Sequence, residues 1–158
     1  MHRNILIFFL FSFLGISACD NTNTVVESTY PDQSPKVVKT YKGKGEDKVL
    51  VSQKSFYPGN KIQMEGAFKE NQRDGKWTYW HSNGKPWSEG YFKDGKAEGK
   101  RTTYYESGQI YYEGYYKDDK RVGKWRFFDE TGKMVKEVDF SKNGAAIIDT
   151  ITTEPGNK

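Results

Sequence analysis

The sequence predicts an all-β protein, an elongated single-layer antiparallel sheet made by stacking β-hairpins of 24 residues each. Three observations predict it. First, residues recur at one step: Glu65-Gly66, Glu89-Gly90 and Glu113-Gly114 are 24 apart, as are Gly75-Lys76, Gly99-Lys100 and Gly123-Lys124. Second, the arm from Lys85 to Lys93 alternates, with Pro86, Ser88, Gly90 and Phe92 in one phase and Trp87, Glu89 and Tyr91 in the other. Third, turn formers such as Asp94-Gly95 and Ser107-Gly108 punctuate arms rich in Thr and Tyr, and no helical period is visible.

At the N-terminus, Arg3 precedes a short apolar run from Ile5 to Leu14. A basic end and a short apolar core are the pattern of a secretory signal, and the run is too short to cross a bilayer comfortably. It closes with Ile16-Ser17-Ala18-Cys19, which resembles the bacterial lipoprotein signal. That resemblance implies a signal peptide over residues 1–18, cleavage before Cys19 and diacylglycerol on the Cys19 sulfur. The chemistry needs a cysteine because a thiolate is the nucleophile that takes up the lipid. Two or more acyl chains anchor stably where one does not. The expected location is the cell envelope, held by lipid at a bacterial membrane and facing the periplasm or the cell surface. Asp20 resembles the signal that keeps enterobacterial lipoproteins at the inner membrane. Residues 19–40, polar and carrying Pro31 and Pro35, read as the lipidated cysteine and a disordered tether spanning about 25 Å.

Residues 41–57, with Val49-Leu50-Val51 and Phe56-Tyr57, read as capping strands. The repeats follow over 58–144, in units at 58–80, 81–104 and 105–128 and a half-unit at 129–144. In the half-unit Val138 replaces the repeated glycine, as suits a terminal repeat closing an edge. Residues 145–158 read as a closing strand and tail. Gly66, Gly90 and Gly114 weaken strands, so they mark close packing, with an aromatic of the neighbouring arm over the bare backbone. Gly75, Gly99 and Gly123 form the second structural glycine column.

Composition limits the chemistry. The chain has 158 residues, of which 35% are hydrophobic and many of those aromatic, so stacked rings rather than a thick aliphatic core must hold it. The formal net charge is +4, but Lys is interspersed with Asp and Glu, which describes a solvated mixed surface and not a nucleic-acid footprint. A single cysteine, Cys19, excludes a disulfide within the chain, and two histidines, His2 and His81, give no basis for a Cys/His metal site. His81 reads as a surface residue at a strand end. No catalytic constellation, cofactor motif or metal cluster is visible. The row Glu65, Glu89, Glu113 and Glu137 would space carboxylates by roughly 10 Å, slightly beyond the range for inverting glycoside hydrolysis. Pairing with Lys76, Lys100 or Lys124 is the expected use of that row.

The unit Gly-Lys-x-x-x-Glu-Gly-x-Phe/Tyr-Lys-x-x-Lys-x-x-Gly-Lys-Trp-x-x-Tyr/Phe, over about 58–141, resembles the bacterial variant of the MORN repeat, in the form found in the YwqK family of antitoxins. The resemblance implies stacked hairpins in a twisted sheet and roles in protein scaffolding, phospholipid contact or toxin neutralisation. The residues add a candidate binding face: Trp87, Tyr91, Tyr111 and Tyr115 share the phase of Glu89 and Glu113. Flat aromatics interleaved with carboxylates suit a protein partner or a glycan, and the alternative use of such a row is stacking of the rings on one another to stabilise a thin sheet. The expected function is a non-enzymatic, lipid-anchored binding or scaffold module. The alternatives are an antitoxin or immunity lipoprotein, and a glycan-binding or glycan-hydrolysing envelope protein.

Overall fold

The structure is a computed structural model that describes residues 21–141 with their side chains and 146–150 as backbone. Ile16, Ser17, Ala18 and Cys19 lie outside the described residues. The strands are β1 (Thr22–Thr29), β2 (Pro35–Lys42), β3 (Val49–Phe56), β4 (Ile62–Lys69), β5 (Gln72–Trp80), β6 (Pro86–Lys93), β7 (Lys96–Ala97), β8 (Gly99–Tyr104), β9 (Ile110–Lys117), β10 (Lys120–Phe128), β11 (Met134–Asp139) and β12 (Ala146–Thr150). All lie in one antiparallel sheet in chain order, except that the two-residue β7 pairs with β6 beside the main path. A single 3-10 turn, Gly45–Asp47, is the one helical element among the described residues. Ten spacings between eleven strands give roughly 48 Å across the sheet, against roughly 26 Å along an eight-residue strand. The sheet is therefore single-layered and longer across its strands than along them, as the period predicts.

The disordered tether over 19–40 is corrected. Residues 22–29 and 35–42 are β1 and β2, paired from Thr22↔Lys42 onward. Thr and Val supply the branched side chains that suit a pleated strand, at Val25-Val26 and Val37-Val38. Neither proline is a linker signal. Pro31 sits in the turn and Pro35 is the first residue of β2, where no ladder donor is required. Asp32 closes the turn by accepting from the Ser34 amide at 3.0 Å, and Tyr30 Oη donates to the Phe56 carbonyl at 2.8 Å. The expected pair of capping strands at 41–57 is accordingly one strand, β3, and the sheet opens at β1.

The turns at the two ends of the strands differ. At one end Glu70-Asn71, Asp94-Gly95 and Asp118-Asp119 join paired strands, and both central residues of each carry positive φ, between 47° and 81°. That is the requirement of the two-residue hairpin loop whose twist matches the strands. At the other end Tyr57, His81, Tyr105 and Asp129 each receive a hydrogen bond or give one across the same four-residue turn: the amides of these residues donate to Lys61, Lys85, Gln109 and Lys133. From this turn Tyr57 Oη donates to the Trp80 carbonyl at 2.9 Å, and Tyr105 Oη donates to the Phe128 carbonyl at 2.9 Å. His81 holds the same place with Nε2 3.2 Å from the Tyr104 carbonyl. A carbonyl only accepts, so Nε2 carries the proton. His81 is thus built into the turn ladder and half-buried, not merely a surface residue.

Each second arm bulges at its glycine. Gly66 pairs with Trp77 and Ala67 with Asp74, so Gly75 and Lys76 have no partner on β4. Gly75 takes φ 79°, a conformation that side chains resist. The bulge breaks the ladder beside Ala67, and Trp77 Nε1 donates to the Ala67 carbonyl at 3.1 Å. The third unit repeats this with Trp125 Nε1 and the Tyr115 carbonyl at 3.2 Å. Trp77 and Trp125 are the two large side chains with almost no exposure, 1% and 0%. They are the core of a sheet that has only one layer.

Candidate functional site

The sheet has two faces with different chemistry. On one, Glu65 pairs with Lys54 at 3.1 Å, Glu89 with Lys76, Glu113 with Lys100 at 2.8 Å and Glu137 with Lys124 at 2.8 Å. Arg126 adds contacts of 3.1 Å to Glu137 and 3.8 Å to Glu113, and Tyr104 Oη donates to Glu89 at 3.1 Å. The hydrogen bond from Lys76 holds the Glu89 carboxyl below its ordinary range, and those from Lys124 and then Arg126 do the same at Glu137. The reciprocal hydrogen bonds raise Lys76 and Lys100. Burial, then the Glu89 charge, raises the Tyr104 phenol. These carboxylates are committed to lysines one strand away, the pairing the repeat spacing predicts.

The other face carries a spine of rings running across the strands. Phe68 meets Trp77 at 5.3 Å and Trp77 meets Phe92 at 6.0 Å. Further on, Tyr116 meets Trp125 at 5.1 Å and Trp125 meets Phe140 at 6.1 Å. An arginine caps each tryptophan, Arg73 at 4.3 Å from Trp77 and Arg121 at 4.5 Å from Trp125, a cation–π arrangement. Each indole lies on a glycine: a Cβ added at Gly66 would overlap the Trp77 ring, and one at Gly114 the Trp125 ring. The rescue of strand glycines by a neighbouring aromatic therefore holds in these two units. At Gly90 it does not. The residue there is Arg101, whose Nε lies 3.0 Å from where a Cβ would stand.

That exchange opens the middle of the spine. One step of 24 from Trp77 gives Arg101, from Arg73 gives Ala97, from Tyr79 gives Thr103 and from Met64 gives Ser88. Four positions lose bulk together. The register lines Tyr79, Ser88, Thr103 and Tyr112 up across β5, β6, β8 and β9. The small pair forms a buried floor, with Ser88 Oγ and Thr103 Oγ1 3.3 Å apart, and Tyr79 and Tyr112 stand as walls. The result is a groove of about 350 Å³ that Trp87, Phe92, Arg73 and Arg101 also line.

In the flanking units an indole N–H satisfies the carbonyl beside the bulge, whereas in the middle unit the Glu98 amide donates to the Tyr91 carbonyl at 2.9 Å. Arg101 is freed from that task, and its buried Nε has no hydrogen-bond partner. Among the described residues neither Arg101 nor Arg73 pairs with a carboxylate, although every repeated glutamate on the opposite face has its lysine. Arg73 donates to Tyr79 Oη at 3.3 Å, and Arg101 lies 5.9 Å and 5.5 Å from the Phe92 and Tyr116 rings.

The four candidate aromatics do not share one face. Ser88 pairs with Tyr79 and Pro86 with Trp80, which leaves Trp87 as the extra residue of a bulge, and Tyr111 is the equivalent extra residue opposite Thr103 and Tyr104. A bulged residue escapes strict alternation. Trp87 consequently meets Tyr79 at 5.9 Å and borders the groove, and Tyr111 meets Tyr112 at 5.3 Å. Tyr91 and Tyr115 stay in phase with the ion pairs, opposite Lys76 and Lys100. All four are about half exposed, Trp87 at 48%. Arg73, Arg101, Ser88 and Thr103 are invisible to a reading that scores repetition, because three of them matter where the repeat fails. The signal for them is the column Trp77, Arg101, Trp125, with its compensating Arg73, Ala97, Arg121.

Three consecutive segments of the chain, residues 73–94, 97–118 and 121–143, match the MORN repeat variant. These three segments are similar to MORN repeats. Each matched MORN segment begins in a second arm and ends in the following first arm, so it straddles two hairpins. The groove is formed wholly by residues of the first two matched segments, and β1 to β4 extend the sheet beyond the match. No curated protein matches the chain. MORN repeats are a module for binding or scaffolding, which fits a sheet that buries little and presents both faces.

Proposed function

We infer that this protein is a non-enzymatic, lipid-anchored envelope protein whose MORN repeats bind another protein. The observation that carries the reading is the interrupted spine. A face built for stability alone would continue its stack through the middle unit, whereas this one drops four side chains in register and leaves Trp87 half exposed beside the gap. The repeated glutamates support a non-catalytic role, since each is held by a lysine. The anchor rests on Ile16-Ser17-Ala18-Cys19 behind an apolar run. An antitoxin or immunity lipoprotein is the narrower form of the same reading, in which the captured protein is a toxin.

Two measurements test it. Cys19→Ser in the full chain is expected to abolish labelling by a fatty-acid probe and to release the protein from the membrane fraction; unchanged retention defeats the anchor. Cross-linking in the intact envelope, followed by capture of the full chain, is expected to recover a discrete partner from the parent and much less from Trp87→Ala. Equal recovery from both would remove the groove face from the interaction.

A further inference from the structure

We propose that the groove of the middle repeat is a receptor for an acidic side chain of the partner protein, a Glu or Asp carried next to an apolar residue on an exposed segment. The proposal rests on the reading of the repeats as a protein-binding module and names what that module grips. The charge comes first. Arg73 and Arg101 border the groove with no carboxylate partner among the described residues, and Arg101 Nε is a buried donor without an acceptor. A guanidinium offers a planar fork that matches a carboxylate, and rings beside it exclude water and strengthen the contact. The Phe92 and Tyr116 rings hold the Arg101 head in place, so little freedom is lost when it binds.

The rest of the lining chooses between anionic ligands. The groove contains no Asp, Glu, Asn or Gln, and its two floor hydroxyls already face each other at 3.3 Å. A sugar acid would bring many hydroxyls and find few acceptors for them. Tyr79, Trp87 and Tyr112 instead offer apolar walls to a flanking side chain. Trp87 and Tyr111, at 48% and 43% exposure, extend that apolar surface beyond the groove, which suits a continuing chain better than an isolated small acid. About 350 Å³ admits a side chain or two and no folded element.

The test uses the full chain purified in detergent. The probes are a doubly capped Gly-Phe-Glu-Gly peptide, its Gly-Phe-Gln-Gly counterpart, glucuronate and inorganic phosphate. The readouts are the indole N–H resonance of Trp87 and the guanidinium resonances of Arg73 and Arg101. The Glu peptide is expected to shift all three saturably and to bind about tenfold more tightly than the Gln peptide, since only the charged form completes the fork. Equal binding of the two peptides, no saturable shift, or equally tight binding of glucuronate or phosphate overturns the proposal. A second variant guards against loss of fold. Ala97→Arg with Arg101→Trp rebuilds the flanking arrangement over Gly90 and fills the groove. It is expected to keep the parent's melting temperature or exceed it while losing the Glu peptide; retained binding at intact stability overturns the proposal as well. A partner still captured from the envelope by that double variant separates the two ideas: the module stands and the carboxylate receptor falls.

Discussion

In the first and third repeats a tryptophan covers a strand glycine, donates to the carbonyl beside the bulge and carries an arginine on its outer face. In the second, Arg101 lies over the glycine, a backbone amide serves the carbonyl and Ala97 stands where the outer arginine would be. The backbone is nearly the same in both, with two-residue tips at positive φ and a glycine bulge near φ 80° at Gly75 and Gly99. The comparison shows that the hairpin geometry does not need the indole. Two of the three units spend that position on burial of an indole, and the middle one, flanked on both sides by such units, does not. In an array whose packing is almost wholly between adjacent strands, each neighbour can carry a weaker unit.

The largest expected effects contrast the two kinds of cover. Trp77→Ala or Trp125→Ala removes a fully buried ring and is expected to cost about 3–5 kcal/mol in denaturant unfolding, whereas Arg101→Ala costs about 1 kcal/mol through lost stem packing. Similar costs for the three would erase the distinction. Next come the glycines beneath. Gly66→Ala and Gly114→Ala force a Cβ into a buried indole and should cost about 2–3 kcal/mol, while at Gly90→Ala the nearest atom is the far end of an arginine at 3.0 Å, and a loss below about 1 kcal/mol is expected. A Gly90 variant as damaging as the other two would show that the middle unit is no looser.

The smallest effect sharpens the contrast between faces. The Glu89 carboxyl is held below its ordinary 4.5 by Lys76, so its folded pKa is lower than its unfolded one. Its contribution is complete above about 4.5 and is lost as pH falls through the lower folded value. Lys76, raised above 10.5, contributes fully below that value and loses its share as pH rises through the higher folded one. Between these limits the pair is flat. Glu89→Gln should therefore lower stability by a few tenths of a kcal/mol near neutrality, after screening, and by nothing in strong acid. A pH-independent loss would assign the effect to packing and not to charge.

Much of this was legible because the physics is periodic. The glycine and aromatic columns, the alternation, the hairpin tips and the Glu–Lys pairing all follow from residues repeated at 24. What escaped was aperiodic or displaced by one. Trp87 and Tyr111 were assigned to the charged face by alternation, which a bulge at each of them cancels. The first hairpin lacks the glycine and tryptophan columns, so polar residues and prolines at 22–42 read as a tether although Val, Thr and an Asp32 turn make strands of them. The groove was hidden for a related reason: it consists of substitutions at repeat positions, and a pattern search discounts departures.

The bonds from Tyr57, His81 and Tyr105 to carbonyls of the following unit have a consequence for how such a chain can change length. Three successive turns thus reach from the same place to a backbone carbonyl of the next unit, with a phenol at Tyr57 and Tyr105 and an imidazole at His81. A whole hairpin added or removed would leave the new neighbours able to clasp as the old ones did, with no distant contact to repair. Reach then becomes a matter of copy number, growing by about 10 Å for each pair of strands. The groove, fixed to one unit by four substitutions, would keep its shape and move only in its distance from either end.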